Sequence, residues 1–97
     1  MNNNNKIFNM SLEKIAMNFF KKIKFGNLKV HFPSGKIKQF IGSEKGVNAD
    51  IKLNNFSLVG KILKKGSVGF AESYMDEDFS SSDLKNLLFF ARQNENY

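Results

Sequence analysis

The side chains that can carry chemistry are few, and they lie far apart along this chain. The one histidine, His31, alternates with Val30 and Phe32, which would place it on the polar side of a strand. No residue with catalytic or metal-binding partners surrounds it in the sequence, so we expect a solvated side chain. The chain has no cysteine, which excludes disulfides, thiolate catalysis and cysteine-bound metals.

Two further patterns resemble a cation site and a phosphate-binding loop, but each lacks residues that such a site needs. The acids Glu72, Asp76, Glu77 and Asp78 offer oxygen ligands for a hard cation, but they lack the alternating spacing and turn glycine of a calcium loop. The segment 66–69 contains two glycines, yet it follows a helix and lacks the Lys-Ser/Thr ending of a phosphate loop. No glycine-rich fingerprint follows a strand, so we expect no catalytic residue, no metal and no cofactor.

Hydrophobic periodicity then indicates the elements that position these residues. A spacing of three and four residues predicts a first helix from Phe8 onward, capped by Asn9 or Ser11 and ended at Gly26. Its apolar stripe comprises Leu12, Ile15, Ala16, Phe19, Phe20 and Ile23. Residues 1–8 are Asn-rich and predicted to be a disordered lead-in, and residues 9–97 a single α+β domain.

Alternation with a period of two predicts three strands at about residues 28–32, 36–41 and 49–53. The Pro33–Gly35 turn and a second short loop join them, which favours an antiparallel meander. The prediction is therefore a small antiparallel sheet packed against helices.

Three more helices follow in the pattern. Asn54 or Asn55 caps one that ends at Gly66 and turns Phe56, Val59, Ile62 and Leu63 inward. Residues 67–75 suit a short helix, with Val68, Ala71, Tyr74 and Met75 as its apolar positions. Ser81 is predicted to cap the last helix, with Asp83 in its first turn.

The charge distribution allows two kinds of anionic partner. Thirteen of the lysines lie in residues 1–70 with three acids, whereas six of the nine acids lie in residues 71–97. Phe19, Phe20, Lys21 and Lys22 at the end of the first helix suit contact with an anionic membrane surface. The alternatives are a helix packed on the sheet with solvated lysines, or strand lysines that bind nucleic acid, which no pair of exposed aromatic residues supports.

One segment carries a family resemblance. The run Lys64-Lys65-Gly66-Ser67-Val68-Gly69-Phe70-Ala71-Glu72-Ser73-Tyr74-Met75-Asp76 resembles a recurrent segment of cyclopropane-fatty-acyl-phospholipid synthases. The run 26–35 is similar to that family's Gly-x-Leu-x-Val-x-x-Pro-x-Gly opening, and the blocks at 49–53 and 81–84 follow in the same order. The sequence departs from the family at Glu77, where Gly is usual, and at Phe79, where Trp is usual. Glu77 leaves the backbone path after Asp76 in question.

The resemblance covers only the family's N-terminal, non-catalytic domain, which has a sterol-carrier-protein-like α+β fold. It implies a lipid-associated accessory domain that supports a separate S-adenosylmethionine-dependent methyltransferase in membrane phospholipid modification. It also implies that Glu72, Tyr74 and Met75 form a partner or lipid contact. The alternative is structural, with Glu72 accepting from backbone N–H groups and Tyr74 holding a buried ring and a hydrogen-bonded hydroxyl. The resemblance carries no catalytic residue over to this chain, so we expect no enzyme activity from it alone.

The remaining expectations concern location and alternatives. No secretory segment is evident at the N-terminus, and no apolar run approaches the length of a membrane span, so we expect a cytoplasmic protein that can lie at the inner membrane face. A truncated inactive remnant and a small basic nucleic-acid-binding module are the alternative functions.

Overall fold

The computed structural model describes the backbone of residues 3–95 and the side chains of residues 11–95. The elements in chain order are α1 Asn3–Phe20, β1 Phe25–His31, β2 Ile37–Ile41, β3 Glu44–Leu53, α2 Ser57–Lys65, α3 Ser67–Met75, β4 Phe79–Ser80 and α4 Leu84–Gln93. The α+β fold class is therefore confirmed, as is the short helix at residues 67–75.

The sheet is mixed rather than wholly antiparallel, which corrects the predicted meander. Its strand order is β2-β1-β3-β4, with β1 antiparallel to β2 but parallel to β3. The two-residue connection after β2 crosses the start of β1, where the Gly42 N–H donates to the Gly26 carbonyl. A Cβ on Gly42 would lie 2.4 Å from the Lys24 carbonyl oxygen, so glycine permits this close crossing. A short loop alone does not decide which neighbour a strand joins.

The start of α1 also differs from the prediction. The helix begins at Asn3, so Asn9 and Ser11 lie within it and do not cap it. The predicted lead-in at 1–8 falls in part on the first two residues, which lie outside the described residues. Gly26 does not end this helix, because it lies in β1 with a φ of 76°.

One face of the sheet carries the core, as the alternation of the strands predicts. The buried hydrophobic residues are Ala16, Phe20, Leu28, Val30, Phe32, Phe40, Ile51, Leu53, Leu58, Val59, Phe79, Leu87 and Phe90. Helix α1 contributes Phe20, whose ring centroid lies 5.7 Å from that of Phe40 on β2. The helices thus cover one side of the sheet only, and the residues of opposite parity, such as Lys29 and Lys52, remain exposed.

The caps of the later helices are displaced by one or two residues from the predicted ones. Asn55 accepts from the Ser57 N–H at 2.8 Å, although the N-cap position itself belongs to Phe56. Asp83, and not Ser81, is the N-cap of α4, since its carboxylate accepts from the Asn86 N–H at 3.1 Å. Gly66 ends α2 with a φ of 57°, which is the positive value that glycine tolerates.

Candidate functional site

Helix α3 turns its apolar stripe outward. Val68, Ala71 and Met75, which we call the α3 stripe, recur at helical spacing and are all exposed. Val68 is 59% exposed and Met75 71% exposed. The inward side carries Gly69 and Ser73 instead, and Ser73 is fully buried. An apolar stripe that faces water on a packed helix is typical of a docking surface.

Close packing against α2 explains why α3 sits this way round. A Cβ at Gly69 would lie 1.9 Å from the Lys61 carbonyl oxygen, so the two helix backbones touch at this glycine. One turn later, the buried Ser73 hydroxyl donates to the Asp78 carboxylate at 2.6 Å. The small residues therefore set the rotation of α3, and the stripe follows to the outside.

The three residues predicted for partner or lipid contact on α3 have different surroundings. Glu72 pairs with Lys65 of α2 at 3.0 Å, so its carboxylate ties the two helices together. Tyr74 is 47% exposed, and its ring centroid lies 5.9 Å from that of Phe79. Met75 has the most exposed side chain of the three, so it offers the largest free apolar contact area.

A polar cluster fixes the C-terminal end of α3 to α2. The Lys61 ammonium lies 2.6 Å from both the Asp76 and the Asp78 carboxylates. Asp78 is 5% exposed, and it also accepts from Ser73 and from the Asn55 amide at 3.0 Å. Burial raises the pKa of Asp78, but the hydrogen bonds from Lys61, Ser73 and Asn55 outweigh it and hold that pKa below its usual value. The ionised form of Asp78 therefore stabilises the fold.

This cluster predicts acid sensitivity. The pKa of Asp78 is lower in the folded state, so its contribution is complete above about pH 3.8 and is lost as the pH falls through the lower folded value. We expect Asp78→Asn to cost about 1.5–3 kcal/mol of unfolding free energy at pH 7, the usual value of hydrogen bonds to a charged group. The variant should also flatten the decline in stability as the pH falls below about 3.8, measured by urea unfolding.

Asp76→Asn is the matched control, because Asp76 shares Lys61 but its side chain is 62% exposed. An exposed ion pair contributes about 1 kcal/mol or less, so this variant should change stability only slightly. Equal losses from the two substitutions would contradict the assigned role of Asp78.

Glu77 follows this helix in a left-handed conformation, with a φ of 59°. It is the one non-glycine residue with positive φ in the described part of the chain. Its carbonyl accepts from the Asn54 amide at 2.8 Å, which holds the turn. The sequence analysis singled out the backbone path after Asp76, and the structure has a strained residue at that place.

We expect Glu77→Gly to stabilise the fold by about 0.5 kcal/mol. The left-handed conformation costs a non-glycine residue about 1–2 kcal/mol, and the greater freedom of glycine in the unfolded chain offsets about 0.4–1 kcal/mol of the gain. Glu77→Ala is the control, since it removes the same carboxylate but keeps the Cβ. Thermal unfolding should show a higher Tm for the glycine variant alone, and an equal rise for alanine would instead implicate repulsion between acids.

The fold buries part of the predicted membrane contact at the end of α1. Phe20 is 4% exposed and packs on Phe40, so it is a core residue, and its assignment to lipid contact is corrected. Phe19 is partly buried against the same core, with its ring 5.4 Å from that of Phe20. Lys21 and Lys22 are exposed, just beyond the end of the helix.

The other candidate residues occupy structural positions. His31 is half-buried on β1, on the side of the sheet away from the core. Asp50 on β3 accepts from the backbone N–H and the hydroxyl of Ser82 and from the Ser81 hydroxyl. The Ser82 hydrogen bond lowers the pKa of Asp50 despite its partial burial. Over the residues that the structure describes, no three acids or histidines gather into a metal-binding group.

The reasoning from sequence missed part of this surface. Val68 was predicted only as an apolar position of its helix, without a direction, and Leu63 on α2 was predicted to point inward but is 68% exposed. The sequence signal for the inward side of α3 was the pair of small residues Gly69 and Ser73, four positions apart. Residues at this spacing lie on one face of a helix, and small ones let a second helix approach closely.

The fold and this surface define a small α+β domain that presents an apolar helix face beside a fixed polar cluster. The family model described as a domain of unknown function, DUF7884, matches residues 15–96. The chain therefore belongs to the DUF7884 family. No curated protein and no solved structure matches it significantly. Within the described residues, no helix has both the length and the hydropathy to cross a membrane.

Proposed function

We propose that this chain is a non-catalytic, lipid-associated accessory domain that works with a separate S-adenosylmethionine-dependent methyltransferase in membrane phospholipid modification. The observation that carries the proposal is the outward α3 stripe. It lies within the segment 64–76 that resembles the cyclopropane-fatty-acyl-phospholipid synthases, so the resemblance and the exposed apolar surface coincide.

The energetics of the stripe favour a partner. Full burial of a Val or Met side chain stabilises by about 1.5–3 kcal/mol relative to exposure in water. Val68 and Met75 gain little of this stabilisation in the isolated domain, because more than half of each side chain is exposed. A methyltransferase seated on α3 would remove both from water and surround Tyr74, a residue type common at interface centres.

The non-catalytic part of the proposal rests on how the ionisable groups are used. Asp78 and Asp76 share Lys61, Glu72 pairs with Lys65, and Asp50 accepts from two serines. Each of these carboxylates is held by a structural hydrogen bond or ion pair, which suits a scaffold.

Co-expression with a fatty-acyl methyltransferase from the same genome tests the proposal. We expect the two chains to co-purify, and we expect cyclopropane formation in vesicles to be greater with the complex than with the enzyme alone. Val68→Glu should abolish both effects, because it places a charge within the apolar contact. Leu88→Glu is the matched control, since Leu88 is 48% exposed on α4, outside the stripe.

Both variants should keep the wild-type Tm, which separates loss of docking from loss of folding. If the wild-type chain neither binds the enzyme nor changes its rate, the accessory role fails and the inactive remnant becomes the better description. If both variants lose binding equally, the assignment of the interface to α3 is wrong.

A further inference from the structure

The edge of the sheet at β2 combines exposed apolar residues with lysines. β2 is an edge strand, paired with β1 on one side only. Ile41 is 74% exposed, the largest value among the exposed large hydrophobic residues of the described chain, and Ile37 is 55% exposed. The two isoleucines share a parity and therefore lie on the same side of the strand, the side away from the core.

The opposite side of β2 brings in the end of α1. Phe40 is buried there against Phe20, and the Lys38 ammonium lies 5.9 Å from the Phe40 ring centroid. Because Phe20 is the last residue of α1, the exposed Lys21 and Lys22 follow directly beside this contact. The edge therefore carries isoleucines on one side and lysines on the other.

The net charge of this edge is positive. Glu13 of α1 lies near this edge, where its carboxylate is already paired with Lys36 at 3.4 Å and accepts from the Ser34 hydroxyl. Lys21, Lys22 and Lys38 are exposed and therefore give this edge an excess of positive charge. Antiparallel pairing of β2 with a second copy would place the lysines of both edges close together, and this repulsion disfavours self-association.

We propose that the β2 edge, defined as Lys21, Lys22, Ile37, Lys38 and Ile41, binds the surface of an anionic phospholipid bilayer. The isoleucines enter the boundary between headgroups and acyl chains while the lysines contact lipid phosphates. This inference rests on the lipid-associated part of the proposed function and gives it a location separate from the α3 stripe. The domain would then hold the methyltransferase with α3 and the membrane with β2.

Co-sedimentation of the full chain with vesicles tests the assignment. One set of vesicles contains equal parts of phosphatidylglycerol and phosphatidylcholine, and the other phosphatidylcholine alone. We expect binding to the anionic vesicles only. Salt at about 0.5 M should weaken this binding, because it screens the attraction between the exposed lysines and the lipid phosphates. Lys22→Gln with Lys38→Gln should weaken binding by at least about tenfold at low salt, because each lysine near the surface adds a separate attraction.

Matched variants separate the edge from general charge and hydrophobicity. Lys64→Gln with Lys85→Gln removes the same charge from exposed positions on α2 and α4, and should change binding less than about twofold. Ile37→Thr with Ile41→Thr keeps β-branched residues in the strand, so it should preserve the Tm and still weaken vesicle binding several-fold.

Each failure has a distinct meaning. If the wild-type chain ignores anionic vesicles at low salt, the β2 proposal and the lipid association are both overturned, while docking of the methyltransferase on α3 still stands on its own test. If the control lysine variant loses as much binding as the edge variant, lipid association stands but its assignment to β2 is overturned. If a 30-nucleotide RNA binds with the same dependence on the edge variants and displaces the vesicles at equal phosphate concentration, the partner is a nucleic acid and the proposal is wrong.

Discussion

Gly69→Ala should destabilise this domain by about 3 kcal/mol or more. The added Cβ would lie 1.9 Å from the carbonyl oxygen of Lys61 and 2.4 Å from its carbonyl carbon. Both atoms belong to the backbone of α2, so no side-chain rotation relieves the overlap and the helices must move apart. That separation would also strain the hydrogen bond from Ser73 to Asp78. Since small domains are stable by about 5–15 kcal/mol, the loss is a large share of the total.

Thermal unfolding should report the loss as a Tm lower by at least about 12 °C, at about 4–8 °C per kcal/mol for a domain of this size. Gly60→Ala is the matched control, because Gly60 lies in α2 with open space around its Cβ position. Alanine there should raise stability by about 1 kcal/mol through helix propensity. A Gly69→Ala variant that unfolds like the wild type would show that α2 and α3 do not touch at this residue.

Asn94→Ala should cost about 2–4 kcal/mol, which is more than most polar substitutions. The side-chain oxygen of Asn94 accepts from the backbone N–H groups of Lys24 and Phe25 at 2.8 and 2.9 Å. Its amide donates to the carbonyls of Phe25 and Phe90 at 2.9 and 3.0 Å. One side chain at the end of α4 thus holds the start of β1, and a typical hydrogen bond adds about 0.5–1.5 kcal/mol.

Asn86→Ala provides the comparison, because the Asn86 amide donates to the Asn48 carbonyl at 2.8 Å. We expect about 1 kcal/mol from this loss. Urea unfolding of the two variants should therefore differ by at least about 1 kcal/mol. Equal stability would mean that water replaces the partners of Asn94 and that the start of β1 does not depend on α4.

The proposed surfaces respond differently to these substitutions. Gly69 fixes how α3 lies on α2, so a partial separation of the helices should weaken partner binding at the α3 stripe before the domain unfolds. Asn94 acts on β1, the neighbour of β2, so its loss should affect the vesicle-binding edge first. Measuring both kinds of binding on each variant would therefore test whether the two surfaces are independent.

Local sequence was sufficient for the type of most elements. The alternation of Leu28, Val30 and Phe32 predicted a strand with one buried face, and all three are buried. The α+β class followed from the change between periods of two and of about 3.6 residues, because each period records which side of an element meets water. Gly66 was predicted to end a helix and does so with a positive φ.

Only the tertiary structure decided how these elements meet. The side of α3 that faces inward depends on Gly69 meeting the Lys61 carbonyl, a contact between two helices that periodicity within one helix does not contain. The parallel pairing of β3 with β1 depends on Gly42 passing close to Lys24. Hydrophobic spacing is a property of neighbours in sequence, whereas steric fit between backbones is a property of neighbours in space, and it is the fit that turned the α3 stripe outward.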